Sequence, residues 1–278
     1  MFRLGLTVAI IISLLSTDAV ASDVRSGEIS TGEWLIGVNL GYGVMSNPLN
    51  GGDDLNLYVV PDIAYYTDTW YLDNTQLGYT FINKSEHVLS AIVEFNPHTR
   101  FFVDWHPANL FALQSSMFAP SEAEGPKAIY IDEIKERRWA LDSGFEYHYF
   151  SRLGKWSVKL LADVTDVYRG VRGEAAWSQG YAFKQWIIEP SIGVQYSNNE
   201  LNTYFYGLSD DEVGDFNAVS LGSSVHPYVR IDASYILTER SALRMHINYI
   251  DFSAVSSDSP LFDESYSVTA FIGVKYIF

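Results

Sequence analysis

A period of two runs through nearly the whole chain, and it limits the fold more than any other feature. From Val225 to Leu237, the residues Val225, Pro227, Val229, Ile231, Ala233, Tyr235 and Leu237 alternate with His226, Tyr228, Arg230, Asp232, Ser234 and Ile236. Successive side chains of a strand point to opposite faces, so one face here is apolar and the other mostly polar or charged. Leu243 to Tyr249 repeats the pattern, with Leu243, Met245, Ile247 and Tyr249 set against Arg244, His246 and Asn248. Trp139 to Tyr149 sets Trp139, Leu141, Phe145, Tyr147 and Tyr149 against Ala140, Asp142, Gly144, Glu146 and His148. Trp34 to Val44, Trp156 to Val164 and Trp186 to Tyr196 follow the same rule.

These segments are long, and several carry aromatics near their ends. About ten residues tilted near 45° cross a bilayer, and aromatic girdles mark its two interfaces. A soluble β-sandwich favours strands of about 5–6 residues. The N-terminus supplies an export signal: a basic start at Met1 to Arg3, an apolar run from Leu4 to Leu15, and the small-residue cleavage pattern Ala19-Val20-Ala21. Residues 1–21 are therefore read as a cleaved signal peptide, 22–33 as a periplasmic segment, and 34–278 as a transmembrane antiparallel β-barrel in the outer membrane of a Gram-negative bacterium. No later run is long and apolar enough for a membrane-spanning helix.

Bacterial barrels have short periplasmic turns and longer external loops. Strands are predicted at 34–44, 55–66, 69–73, 75–83, 86–95, 137–150, 155–168, 171–179, 184–197, 224–237, 240–252 and 265–278. That gives twelve strands; ten is possible if 69–83 is one strand and another pair merges. Residues 151–154, 180–182 and 238–241 are read as periplasmic turns, and 45–54, 96–136, 198–223 and 253–264 as external loops. The formal charge of −16 follows this topology. Residues 45–54, 198–216 and 253–264 hold ten acids and no Lys or Arg, which places much of the acidity outside the cell, where the cations of lipopolysaccharide screen it. So acidic a chain lacks the basic footprint of a nucleic-acid binder, and the absence of cysteine excludes a disulfide scaffold and a thiolate zinc site.

The last strand alternates Val268, Ala270, Ile272, Val274, Tyr276 and Phe278 and ends on an aromatic. Tyr276 and Phe278 are read as the signal recognised by the barrel-assembly machinery. Deleting Phe278 is expected to lower the yield of assembled protein in outer-membrane fractions; an unchanged yield would contradict this reading.

Several stretches occur in an order and spacing that resemble one family. They are Gly37-Val38-Asn39-Leu40-Gly41-Tyr42-Gly43, Val60-Pro61-Asp62-Ile63-Ala64-Tyr65, Trp70-Tyr71-Leu72, Leu77-Gly78-Tyr79, Tyr206-Gly207-Leu208-Ser209 and Gly273-Val274-Lys275-Tyr276-Ile277-Phe278. Over residues 32–278 the chain resembles the MipA/OmpV family of outer-membrane proteins. The resemblance implies a barrel and a scaffold role linking a lytic murein transglycosylase to a murein synthase. It carries no catalytic residues over. Segment 96–136 departs from it, being long and aromatic.

The inward faces propose a polar lumen cluster of Asp142, Glu146, His148, Lys159, Asp163, Glu189, Arg230, Asp232, Arg244 and His246. Such a cluster either plugs a narrow barrel with salt bridges or lines a small-solute pore. The six histidines form no nucleophile or metal pattern; His148 with Glu146 and His226 with Asp232 share faces at chance spacing. No enzyme activity, cofactor or metal is expected. The loop motif Tyr206, Gly207 and Ser209 runs into Ser209-Asp210-Asp211-Glu212, which has the form of a capping box. Asp210, Asp211, Glu212 and Asp215 lack the spacing of a calcium loop. Segment 96–136 is expected to pack as a lid or plug, with a helix from Pro107 to Phe118. The chain is expected to act as a monomer.

Overall fold

The computed structural model describes residues 32–102, 129–212 and 218–278. It is a closed antiparallel barrel. In chain order the strands are β1 (Trp34–Met45), β2 (Leu55–Tyr66), β3 (Trp70–Asp73), β4 (Gln76–Asn83), β5 (His87–Phe95), β6 (Leu141–Ser151), β7 (Gly154–Asp163), β8 (Val171–Ser178), β9 (Tyr181–Phe183), β10 (Trp186–Ser197), β11 (Ser224–Thr238), β12 (Ser241–Asp251) and β13 (Tyr266–Ile277). The predicted signal peptide and the predicted helix Pro107 to Phe118 lie outside the described residues.

Thirteen segments make twelve staves, because β8 and β9 follow one another along β10. The break between them lies opposite Pro190. Gln179 donates its N–H to the Pro190 carbonyl at 3.2 Å. Pro190 has no N–H to return, so the ladder is interrupted there. This corrects the turn predicted at 180–182. Tyr181 to Phe183 continue the stave, and the chain reverses at Lys184-Gln185, with Lys184 in the left-handed region at φ 54°.

β1 and β13 close the ring, in register from Gly37↔Ile277 to Met45↔Thr269. At the centre of this seam Gly41 faces Gly273. A Cβ on Gly41 would stand 2.2 Å from the Ile272 carbonyl, and one on Gly273 2.5 Å from that of Leu40. The buried Phe271 ring lies over both glycines, so their lack of side chains lets the seam close. Phe278 donates its N–H to the Ile36 carbonyl at 2.9 Å beside this seam.

Stave heights are unequal. β3 pairs with β2 only through Ala64, Tyr65 and Tyr66, and the hairpin reverses at Asn74-Thr75, with Asn74 at φ 52°. Above it, residues 55–62 of β2 pair with β1 and, among the described residues, with no strand on the other side. The Ile63 N–H and C=O both point to Asn74, so by strand alternation Pro61 directs its missing N–H to the same open side.

The burial pattern is that of a membrane barrel. Phe145, Tyr147 and Tyr149 of β6 and Val229 and Ile231 of β11 are exposed on the outer face. The alternate residues Asp142, His226 and Tyr228 are buried inside. Ring pairs gather at the turn end: Trp34–Tyr65 at 4.7 Å, Tyr65–Trp70 at 5.2 Å, Trp186–Tyr235 at 5.1 Å and Tyr276–Phe278 at 5.3 Å. This is the girdle expected where the wall meets the periplasmic interface.

Candidate functional site: a neutralised lumen beneath an apolar cap

Register brings the inward charges together. β6 and β7 set Glu146 opposite Lys159, β7 and β8 set Lys159 opposite Glu174, and β5 and β6 set Glu94 opposite Asp142. Arg172 reaches both acids of the last pair. Its Nε donates to Asp142 Oδ2 at 2.5 Å and its Nη2 to Glu94 Oε1 at 2.6 Å. Lys159 Nζ donates to Glu94 Oε2 at 3.0 Å and stands 3.6 Å from Glu146 Oε1. Asp142 is completed by Tyr168 Oη, donating at 2.6 Å, and Asn96 Nδ2, donating at 2.9 Å. Gln76 Nε2 donates to Glu146 Oε2 at 2.9 Å, and His148 Nε2 lies 3.5 Å from the same oxygen. Every charge in this lattice has an opposite neighbour, which a low-dielectric interior requires.

A second group forms on β11 and β12. Asp232 Oδ1 shares a hydrogen bond with His246 Nδ1 at 2.8 Å and accepts from Arg244 Nη2 at 3.4 Å, while Arg230 Nε lies 3.6 Å from Oδ2. Glu189 is half exposed and, among the described residues, reaches only Lys155, at 4.0 Å. Asp163 departs from the predicted cluster. It sits at the outer rim, where its carboxylate accepts the backbone N–H groups of Thr165, Val167, Tyr168 and Arg169 at 2.6–2.9 Å. That turn ends β7 at Asp163, so the strand predicted to reach residue 168 stops short. His226 does not meet Asp232. Six residues of strand separate them, roughly 20 Å. His226 Nε2 instead shares a 2.7 Å hydrogen bond with Ser224 Oγ.

Inspection of the sequence missed Glu94, Arg172 and Glu174. Glu94 stands in the apolar stretch His87-Val88-Leu89-Ser90-Ala91-Ile92-Val93-Glu94-Phe95, and Arg172 and Glu174 in a segment with weak alternation. Within its own strand, Glu94 shares the inward face with the buried Ser90 and Ile92, and Arg172 and Glu174 share one face of β8.

The external end carries an apolar core of its own. The helix Asn199–Tyr206 is capped by Asn198, whose side chain accepts from the Leu201 N–H at 3.1 Å. Leu201, Phe205 and Tyr206 are fully buried and pack with Leu49, Phe101, Tyr168, Phe252 and Leu261, residues drawn from four other connections. The Tyr206-Gly207-Leu208-Ser209 motif ends this helix. A Cβ on Gly207 would lie 2.4 Å from the Val219 carbonyl and 2.5 Å from that of Thr203, so only glycine fits. Ser209 donates its N–H to Glu212 Oε2 at 2.9 Å, the reciprocal half of the predicted capping box. Glu212 Oε1 also accepts from Arg137 Nη1 at 2.6 Å, and Asp211 pairs with Lys135. Burial alone would raise the Glu212 carboxyl; the hydrogen bonds from Arg137 and Ser209 outweigh it and hold it down at about 2.

His98 sits under the cap, with Nδ1 2.7 Å from Tyr206 Oη and its ring stacked on Phe205 at 5.7 Å. Burial, with His226, Arg172 and Arg100 nearby, holds His98 well below the usual imidazole range. The folded cap therefore resists a proton that the opened cap accepts. Cap stability is full above about pH 6.5 and declines as pH falls below it. Protease cleavage of the external loops should rise between pH 7.5 and 5. The rise should be shallower in His98→Gln, and an identical profile would contradict this.

A sequence profile described as MltA-interacting protein MipA matches residues 40–278. The chain belongs to the MipA family. The MltA-interacting protein of Escherichia coli K12 is 24% identical over 255 residues, spanning 91% of this chain and 94% of the relative. YiaT of the same strain, named as an outer membrane protein, is 24% identical over 270 residues, spanning 96% and 98%. Among solved structures, the translocator domain of the autotransporter NalP from Neisseria meningitidis aligns with a TM-score of 0.40 at 11% identity, over 90% of each chain. The chain is thus an outer-membrane β-barrel of the MipA family in the Gram-negative envelope.

Proposed function

We propose that this MipA-family barrel is a non-enzymatic scaffold whose periplasmic rim docks murein-processing enzymes, a lytic transglycosylase and a murein synthase. The observation that carries this reading is the paired lumen under an apolar cap. Glu94, Asp142, Lys159 and Arg172 neutralise one another, and Phe205 and Tyr206 pack in the apolar core at the outer end. Paired charges under a packed cap, among the described residues, disfavour the passage of solute, which leaves the rim as the working surface. The name of the E. coli relative as an MltA-interacting protein adds support. The rim offers exposed turns at Arg152-Leu153, Lys184-Gln185 and Glu239-Arg240, and Leu153 is 75% exposed.

Photo-crosslinkers at Arg152 and Glu239 in native envelopes test this. Adducts identified as a murein transglycosylase or synthase support the reading; adducts with lipid and assembly factors alone would sink it. The second reading, a narrow channel for small solutes, draws on the two polar cavities inside the barrel, about 350 and 440 Å³ in volume.

A further inference from the structure

The lower cavity has a chemistry that neither docking nor sealing explains. It measures about 440 Å³ and runs from the periplasmic turn Thr67-Asp68 to Gln76 and His148 in mid-barrel. Gln76, Glu146, His148 and Lys155 also line the upper cavity, so the two adjoin. The upper end meets the apolar cap, whereas the lower end reaches the rim. A ligand would therefore enter from the periplasm. The volume lies within the range of small-molecule sites.

The lining selects the ligand. Two of its three acids are hydrogen-bonded: Asp73 Oδ2 accepts from Tyr66 Oη at 2.7 Å, and Glu146 is held by Gln76 and Lys159, while Asp68 stands at the rim. With Asp68, Asp73 and Glu146 against Lys155 alone, the lining repels anions and is rich in carboxylate acceptors for hydroxyl donors. An apolar molecule would strand hydroxyl, carboxamide and imidazole groups without partners, at the cost of a lost hydrogen bond each. One such group is already stranded. His148 Nδ1 is buried and has no hydrogen-bond partner among the described residues, while Nε2 of the same ring faces Glu146. Tyr66 and Tyr71 stack at 5.5 Å and 17°, adding a flat aromatic wall beside the polar groups. Closely spaced donors and carboxylate acceptors beside an aromatic surface suit an uncharged polyol.

We propose that this periplasm-facing cavity binds a neutral hexose oligomer, with sugar hydroxyls donating to the carboxylates of its lining. This stands apart from the docking role: the cavity could bind sugar whether or not the rim binds enzymes. The test uses the full chain refolded in a detergent without sugar headgroups. Chitotriose and maltotriose are titrated separately and followed by saturation-transfer NMR and calorimetry. Saturable binding of either is expected, and the two arms tell acetamido sugars from plain glucose polymers. His148→Phe, which fills the cavity, should weaken binding at least tenfold while the heat-modifiable gel shift of the folded barrel persists. If that variant does not fold, Asn83→Leu at the exposed cavity mouth carries the same expectation. No saturable binding of either sugar, or binding unchanged in the folded variant, overturns the proposal.

Discussion

Replacing Arg172 by Leu is expected to lower the unfolding free energy of the barrel by about 3–5 kcal/mol, because it leaves buried carboxylates without their cation. Asp142 is fully buried, and its Oδ2 takes the Arg172 Nε hydrogen bond at 2.5 Å. Glu94 would keep Lys159, but Asp142 would keep only Tyr168 and Asn96. Denaturant titration in micelles measures the loss. Arg169→Ala is the matched control. It also removes an arginine bonded to an aspartate, Asp166, yet both groups are exposed, and no measurable change is expected. Equal effects from the two variants would mean that the lattice is hydrated and carries no structural load. Replacing Arg172, Glu94 and Asp142 together by apolar residues of similar volume should restore much of the loss, since a buried charge set contributes little beyond its own mutual compensation.

Phe205→Ala should cost the cap a similar amount, about 3–5 kcal/mol, with the barrel wall unaffected. Phe205 is fully buried. His98, Phe102, Tyr168, Tyr204 and Tyr206 surround its ring at centroid distances of 4.9–6.4 Å. Hydrogen exchange separates the two layers. Protection should fall in Asn199–Tyr206 and in the loops around it, and stay high in β10 and β11. Loss of protection in both layers together would show that cap and wall unfold as one unit and that the two-layer description is wrong.

Much of this architecture was legible in the sequence. Alternation such as Leu243-Arg244-Met245-His246 set both the strand and the face of each residue, because a lipid-facing wall and a polar lumen give opposite sides of a strand opposite solvents. The lattice around Glu146 and Lys159 was found by the same parity. Its centre at Arg172 was not, since Val171 to Ser178 alternates poorly and the bond from Arg172 to Glu94 joins residues 78 apart. The turn at 180–182 failed for a local reason: Gly180 invites a turn, while the ladder break is set by Pro190 on the neighbouring strand. The cap was obscured by its acids. Glu200, Asp210 and Asp211 make that loop read as solvated, although Leu201 and Phe205 stand four apart, the spacing that puts two side chains on one helix face. Lid packing was expected of segment 96–136 instead; its described ends, Phe101, Phe102 and Ile129, do join the cap core.

The proposed scaffold role, with Glu94, Asp142, Lys159 and Arg172 paired in the lumen and Phe205 and Tyr206 packed at its outer end, requires a barrel that passes no solute. Planar-bilayer recording of the purified full chain tests this most directly. No steady open level is expected at moderate voltage in salt solution, and brief openings at most in Phe205→Ala. A stable, solute-selective conductance from the unmodified protein would contradict it and make the channel reading the better one.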